Sequence, residues 1–193
     1  MTPWDYAPLT TERLVLRLMV DDDLQDVHDW MSDEEVVRYQ LYEPRSLELV
    51  QEHIDKVKVL RRLEKSDDAI EFAIVLPASG DDRDRVIGCL YFHLESVENS
   101  TAEIGWALTA AYQGKGYAAE AARAVLDIAF GTMQLHRVIA NLDPRNAASV
   151  ALCLRLGMRH EAHYVEDLWF KGAWGDTGVY AILDREWRAL TGA

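Results

Sequence analysis

Between Ala102 and Leu142 the sequence writes one strand–helix–strand unit, and no other feature restricts the fold as much. Ala102 to Leu108 is a short run containing Ile and Trp that reads as a strand. Gln113-Gly114-Lys115-Gly116-Tyr117 reads as a loop, and the alanine-rich run Ala118 to Phe130 as a helix by propensity. Arg137 to Leu142 is a second strand. Upstream, Ile70 to Leu76 and Val86 to Leu94 read as consecutive strands, with Pro77 to Arg85 and its Ser79-Gly80-Asp81-Asp82 centre as a hairpin loop. An antiparallel middle joined to a single crossover predicts a mixed α/β sheet, mostly antiparallel, with helices on both faces.

The flanks fit that plan. Leu14 to Leu18 is a strand. Asp21 to Asp23 can cap a helix on which Leu24, Val27 and Met31 share a face, and Ser32-Asp33-Glu34-Glu35 has capping-box form with Ser32 as the cap. Ser46 can cap a longer helix with Val50, Ile54, Val57 and Leu60 on one stripe. Asp143-Pro144-Arg145-Asn146 is a turn, with Asn146 placed to cap a helix ending near Leu156-Gly157. Arg159 to Leu183 reads as two strands around Lys171-Gly172, followed by a short helix around Trp187. The 193 residues carry no repeat or Pro/Gly-rich linker, so one domain over 1–193 is expected.

Charge narrows the partners. The 20 basic and 33 acidic residues leave a net charge of −13. That opposes general nucleic-acid binding and anionic membranes, and it suits a cationic partner as well as plain solubility. Met1-Thr2-Pro3-Trp4-Asp5 lacks the features of a signal peptide. Cys89 and Cys153 sit among apolar neighbours without metal-type spacing, which reads as two reduced thiols in a cytoplasmic protein. His160-x-x-His163 lies in a strand-like run, so no metal site is expected. A homodimer is the default for a symmetric enzyme, although no residue specifies one.

Chemistry concentrates in Trp106 to Glu120. A helix that starts near Gly116 offers unpaired N–H groups and a partial positive charge, glycines admit a bulky anion, and Lys115 adds a cation. An ordinary glycine-bearing turn is the alternative. Gly114, Gly116 and Ala119 also satisfy a dinucleotide-type G-x-G-x-x-A, with Asp143 after the next strand. Glu103 in the preceding strand, the five residues between Leu108 and Gly114, and the single crossover count against that reading.

The chain resembles the GCN5-related N-acetyltransferase (GNAT) superfamily, and within it the RimJ/RimL-like branch. Gln113-Gly114-Lys115-Gly116-Tyr117-Ala118 matches the superfamily's Gln/Arg-x-x-Gly-x-Gly/Ala signature. Thr11 to Arg17, Ala102 to Trp106, Asn141, Asn146-x-x-Ser149 and Leu156-Gly157-Met158 extend the likeness over nearly the whole chain.

This resemblance implies a sheet splayed between the strands ending at Leu108 and Leu142, with acetyl-CoA as cosubstrate. The pantetheine arm would lie along Trp106, Ala107 and Leu108, and the pyrophosphate on Gln113, Gly114, Lys115, Gly116, Tyr117 and Ala118. Asn141 and Asn146 would add polar contacts, with helix capping an equal alternative for Asn146. The reaction implied is direct attack by a primary amine, protein N-terminal or small-molecule, in a ternary complex. Glu103 is the candidate base, Ser149 the candidate acid with Tyr112 a second donor, and a backbone amide near Leu108 the oxyanion donor. The acceptor pocket would be walled by the helices between Asp21 and Lys65 and by the tail near Tyr164, Trp169 and Trp174, with Glu161, Glu166 and Asp167 nearby. A non-catalytic acyl-CoA-binding module and a dinucleotide-dependent enzyme are the other readings.

Overall fold

The computed structural model describes residues 1–79 and 83–192. The Gly80-Asp81-Asp82 centre of the expected hairpin loop lies outside them. In chain order the elements are β1 (Trp4–Asp5), β2 (Leu9–Thr10), β3 (Val15–Leu18), α1 (Leu24–Met31), α2 (Glu34–Val37), α3 (Leu47–Val57) and β4 (Arg62–Leu63). There follow β5 (Ala69–Leu76), β6 (Arg85–Ser96), β7 (Thr101–Leu108), α4 (Tyr117–Asp127), β8 (Arg137–Leu142), α5 (Ala147–Arg155), β9 (Arg159–Phe170), β10 (Ala173–Leu183) and α6 (Asp184–Thr191).

The large sheet runs β2-β3-β5-β6-β7-β8-β10-β9, and β1 pairs with β4 in a small ribbon. Its pairs are antiparallel except β7 with β8, the two strands joined through α4. The mixed, mostly antiparallel sheet expected from the sequence is therefore present. Strand alternation sends two apolar sets to opposite faces. Ile70, Phe72, Leu90, Phe92, Ile104 and Val138 pack with α4, Leu156 beside α5, and Trp187 of α6. Ala73, Val75, Cys89 and Ala107 pack beneath Val27, Trp30 and Met31 of α1 and Val50, Ile54 and Val57 of α3. Among the described residues no helix is long and apolar enough to cross a membrane.

Local chemistry moves some boundaries. The cap of α2 is Asp33, whose carboxylate accepts from the amides of Glu35 and Val36, while the Ser32 hydroxyl donates back to the His28 carbonyl. The expected capping box on Ser32 is thus displaced by one residue, because a carboxylate holds two amides where Ser32 already has a partner in the preceding turn. Asp23 is also not a side-chain cap: its carboxylate takes Arg17 and the Val20 amide. Ser46 does cap α3, but the helix ends at Val57 and leaves Leu60 exposed. The regular part of α4 stops at Asp127, and a π-helical turn carries the chain through Ile128–Thr132. The two-residue strands β1, β2 and β4 had no periodic signal to betray them.

The decisive feature is where β7 and β8 part. They pair only at Thr101↔Arg137, Ala102↔Val138 and Glu103↔Ile139. Beyond Glu103 the strands diverge, and among the described residues the β8-facing edge of Ile104 to Leu108 has no strand partner. β6 stays on the other edge of β7 to Gly88↔Leu108. Gly88 is required there, since a Cβ would lie 2.1 Å from the Ala107 carbonyl oxygen.

Candidate active site

The fork opens between two cavities. On the loop side, a groove of about 270 Å³ is lined by Trp106, Ala107, Leu108, Gln113, Gly114, Gly116, Tyr117 and Ala118, with Asn146, Ser149 and Arg155 opposite. On the helix-α1 side lies a cavity of about 380 Å³. Its walls include Trp30, Tyr42, His53, Glu71, Tyr91 and Glu103. Trp106, Asn146 and Ser149 line both spaces.

The loop is built to present amides. Gly114 and Gly116 take φ of +73° and +86°, which glycine adopts without strain. Gly116 is the residue before α4, so the N–H groups of Tyr117, Ala118 and Ala119 have no helical acceptor. No hydrogen bond leaves the amides of Gly114, Lys115 or Gly116 among the described residues. Consecutive free amides at a helix N-terminus suit a diphosphate. Gln113 differs: its N–H bonds the Ala110 carbonyl and its side-chain amide donates to the Leu108 carbonyl at 2.9 Å. It braces the loop against the end of β7. Lys115 is exposed, with Nζ 5.4 Å from the Tyr112 ring centre, and does not line the groove. Tyr112 packs against Tyr117 and lines neither cavity.

Backbone direction along β7 also matters. The Thr109 N–H bonds Ile87 on the β6 side. Because neighbouring amides on a strand point to opposite edges, the N–H groups of Leu108 and Trp106 face the fork. An extended amide-bearing chain laid in the fork would find donors and acceptors there, as in strand addition.

Glu103 is the last residue of β7 paired with β8 and lines the larger cavity. Burial raises its carboxyl above the ordinary range, while the Asn141 side chain and His93 pull the other way. Asn141 lines the cavity with Glu103 and not the loop-side groove. Ser149 sits in the first turn of α5, its hydroxyl oxygen accepting from the Trp106 indole N–H at 3.3 Å. Asn146 caps α5, its Oδ1 accepting from the Ser149 amide at 3.1 Å.

Three features that sequence reasoning gave no role are part of this architecture. Arg13 donates to Glu120 and to the Lys115 carbonyl, and its guanidinium lies 4.6 Å from the Tyr117 ring centre. Glu120 also accepts from Thr11, so the Thr11–Arg13 stretch clamps the loop. Burial would raise the Glu120 carboxyl, yet Thr11 and Arg13 hold it below the usual range. Glu71 and His53 form the third feature: His53 Nε2 lies 3.1 Å from Glu71 Oε1 inside the larger cavity. The signal was a lone carboxylate in the apolar run Ile70 to Leu76.

The residues expected to wall the acceptor pocket fall in different places. Trp30, Met31, Tyr39 to Tyr42 and His53 come from the N-terminal helical region. From the tail, Trp174 lines a third cavity of about 230 Å³ that shares Asn141 to Asp143 with the larger one, whereas Tyr164 and Trp169 line neither. Glu161 is engaged by Arg137 and Arg159, and Glu166 and Asp167 line none of the three cavities. His160 and His163 lie on β9 with separate neighbours, Tyr180 and Asp176. Among the described residues no cluster of His, Cys, Asp or Glu could hold a metal ion.

Comparison with known proteins agrees with this geometry. The acetyltransferase (GNAT) domain family matches residues 13–159. An uncharacterized N-acetyltransferase of Bacillus subtilis, YnaD, is 35% identical over 93% of this chain and 98% of its own. The crystal structure of a GNAT-family acetyltransferase from Bacillus anthracis superposes with a TM-score of 0.80 at 31% identity, covering 93% of this chain and all of the other. A spermidine N-acetyltransferase from Vibrio cholerae, solved with CoA and spermine, shares the fold at 22% identity and a TM-score of 0.72, over 91% and 98% of the two chains. One crossover in an otherwise antiparallel sheet removes the dinucleotide reading, and the relatives remove the non-catalytic one. The chain belongs to the GNAT acetyltransferase family and is an acyltransferase.

Proposed function

We propose that the chain, acting as one domain, transfers the acetyl group of acetyl-CoA to a primary amine by direct attack in a ternary complex. The observation that carries this reading is the sharing of Trp106, Asn146 and Ser149 by both cavities, so that a donor in one and an acceptor in the other meet at the fork. The free amides of Gly114 to Ala118 suit the diphosphate of CoA, and the unpaired edge of β7 suits its amide-bearing arm. The likeness to an enzyme crystallised with CoA supports that donor.

An amine enters as an ammonium and must lose a proton before its nitrogen can attack. Glu103, at the fork with a raised carboxyl, takes that proton directly or through one water. The C–N bond forms as negative charge grows on the acyl oxygen, where the Leu108 N–H stabilises it. The C–S bond then breaks. The second proton of the former ammonium passes from nitrogen to the Ser149 hydroxyl oxygen as that hydroxyl gives its own proton to the departing sulfur, so the serine ends neutral. That hydroxyl accepts from Trp106, which leaves its own proton available for donation. The acceptor is a small-molecule amine or a protein N-terminal amine, as in the RimJ/RimL-like enzymes the chain resembles.

Calorimetric titration with acetyl-CoA, with NAD as control, tests the donor. Binding of acetyl-CoA alone, followed by thiol release on adding amines, is the expected result. Binding of NAD instead, or of neither, would overturn the reading.

A further inference from the structure

The cavity on the α1 side holds more negative charge than the reaction needs. Among the described residues its lining includes Glu71, Glu103 and Asp143 and no Lys or Arg, and the nearby Arg45 is stacked on the lining residue Tyr42. Asp143 is neutralised by Arg145. Glu103 is committed to the reacting nitrogen. Glu71 remains, and it is 8% exposed on a strand whose neighbours are apolar. Its hydrogen-bonding side-chain partners among the described residues are His53, on Oε1, and the Cys89 thiol, and neither is a fixed cation. The nearby Cys89 thiol is pushed well up by burial and by Glu71, so it stays neutral and supplies no countercharge. A buried carboxylate without a full countercharge is costly, and a cation arriving with a ligand relieves that cost.

Geometry sets where that cation belongs. Glu71, Tyr91 and Gly105 stand opposite one another across β5, β6 and β7. Two strand spacings put the Glu71 and Gly105 backbones about 10 Å apart. Glu103 lies two residues from Gly105, about 7 Å along β7, on the same face. The carboxylates therefore stand on the order of 10 Å apart across one cavity. Tyr91 lines the space with them, and an aromatic face favours a cation, whereas the Tyr42 ring already carries the Arg45 guanidinium 4.4 Å from its centre.

We propose that Glu71, positioned by His53, is a second cation subsite, and that the acceptor is a small dication: an amine that reacts at Glu103 while a second ammonium or guanidinium rests on Glu71. The inference rests on the acetyltransferase reading of the fork. It disfavours free α-amino acids of neutral side chain, whose carboxylate would meet Glu71 with no Lys or Arg to receive it.

The test is calorimetric binding of 1,5-diaminopentane and n-pentylamine to protein saturated with CoA, with thiol release from acetyl-CoA measured for both. Removing a buried charge contact costs about tenfold or more in affinity, so the diamine should bind tighter by at least about that factor. Glu71→Gln should bring the two amines together. Glu71→Asp should shift the preference to a longer diamine, which reports on the subsite even if the glutamine variant folds poorly. Equal binding of the two amines by the natural protein, or an undiminished preference in Glu71→Gln, overturns the proposal. Failure of acetyl-CoA to bind would instead overturn the acetyltransferase reading, and the amine comparison would then be read on the free protein, where the same preference for the diamine is expected.

Discussion

The indole N–H of Trp106 on β7 donates to the Ser149 hydroxyl on α5, 3.3 Å away, at the junction of the two cavities. The bond ties the free edge of the fork to the helix that faces it, and it fixes the direction of the serine's own proton. Ser149→Ala should lower turnover by about tenfold, less than general acids usually contribute, because a thiol of pKa about 8.5 departs readily. Trp106→Phe should keep the ring but release the hydroxyl, at about 1 kcal/mol in stability. Steady-state thiol release and urea unfolding measure the two effects. A full-rate Ser149→Ala would leave that serine with a structural role only.

Glu103 gives a pH signature. Its carboxyl is raised by burial, so kcat/KM should climb with pH through a limb lying above the ordinary glutamate value of about 4.3. Glu103→Gln should remove that limb and lower turnover about 100-fold or more, with acetyl-CoA affinity retained. The stability effect runs the other way. The folded state holds this proton more tightly than the unfolded chain, so the linked stability is present below the unfolded pKa and lost as pH rises through the folded one. At pH 7 the glutamine variant should therefore be at least as stable as the natural protein in a urea titration.

Asn146 caps α5 through the Ser149 amide. Asn146→Ala should cost about 1 kcal/mol of stability. Acetyl-CoA affinity, measured in parallel, separates this capping from a direct contact: unchanged affinity assigns the residue to the helix alone.

The amide loop depends on two left-handed glycines. Gly116→Ala forces a Cβ into φ near +86°, a strain of about 1–2 kcal/mol. Acetyl-CoA affinity should fall by about tenfold if that strain is relieved by distorting the loop. Gly131→Ala, where a Cβ meets nothing within 4 Å and φ is not positive, is the control and should bind normally.

Arg13, Thr11 and Glu120 should make the loop sensitive to acid. Glu120 is held below the ordinary carboxylate range, so its contribution is present above about pH 4.3 and lost as pH falls through its folded value. Glu120→Gln should flatten the acid limb of a pH–stability curve. An unaltered limb would show that the clamp contributes nothing to folding.

Much of this was legible in the chain. The strand, glycine loop and alanine-rich helix between Ala102 and Phe130 follow from short-range rules: β-branched and aromatic runs, left-handed glycines, and the helix preference of alanine. Those rules act within a few residues, which is why β8 emerged with its boundaries intact and Asn146 as a cap. Glu103 and Ser149 were singled out through a family resemblance, and both line the larger cavity. What the chain alone could not disclose was every pairing between distant segments. Nothing in the local pattern of Ile70 to Leu76 reveals that Glu71 meets His53, because that contact exists only once α3 has packed across β5. Nothing in Thr11-Glu12-Arg13 reveals a clamp on a helix more than a hundred residues away. Local sequence determined the elements and the amide loop. Tertiary packing decided which carboxylates share a cavity, because burial, and with it the energy of a charge, is set by what the rest of the chain places around it.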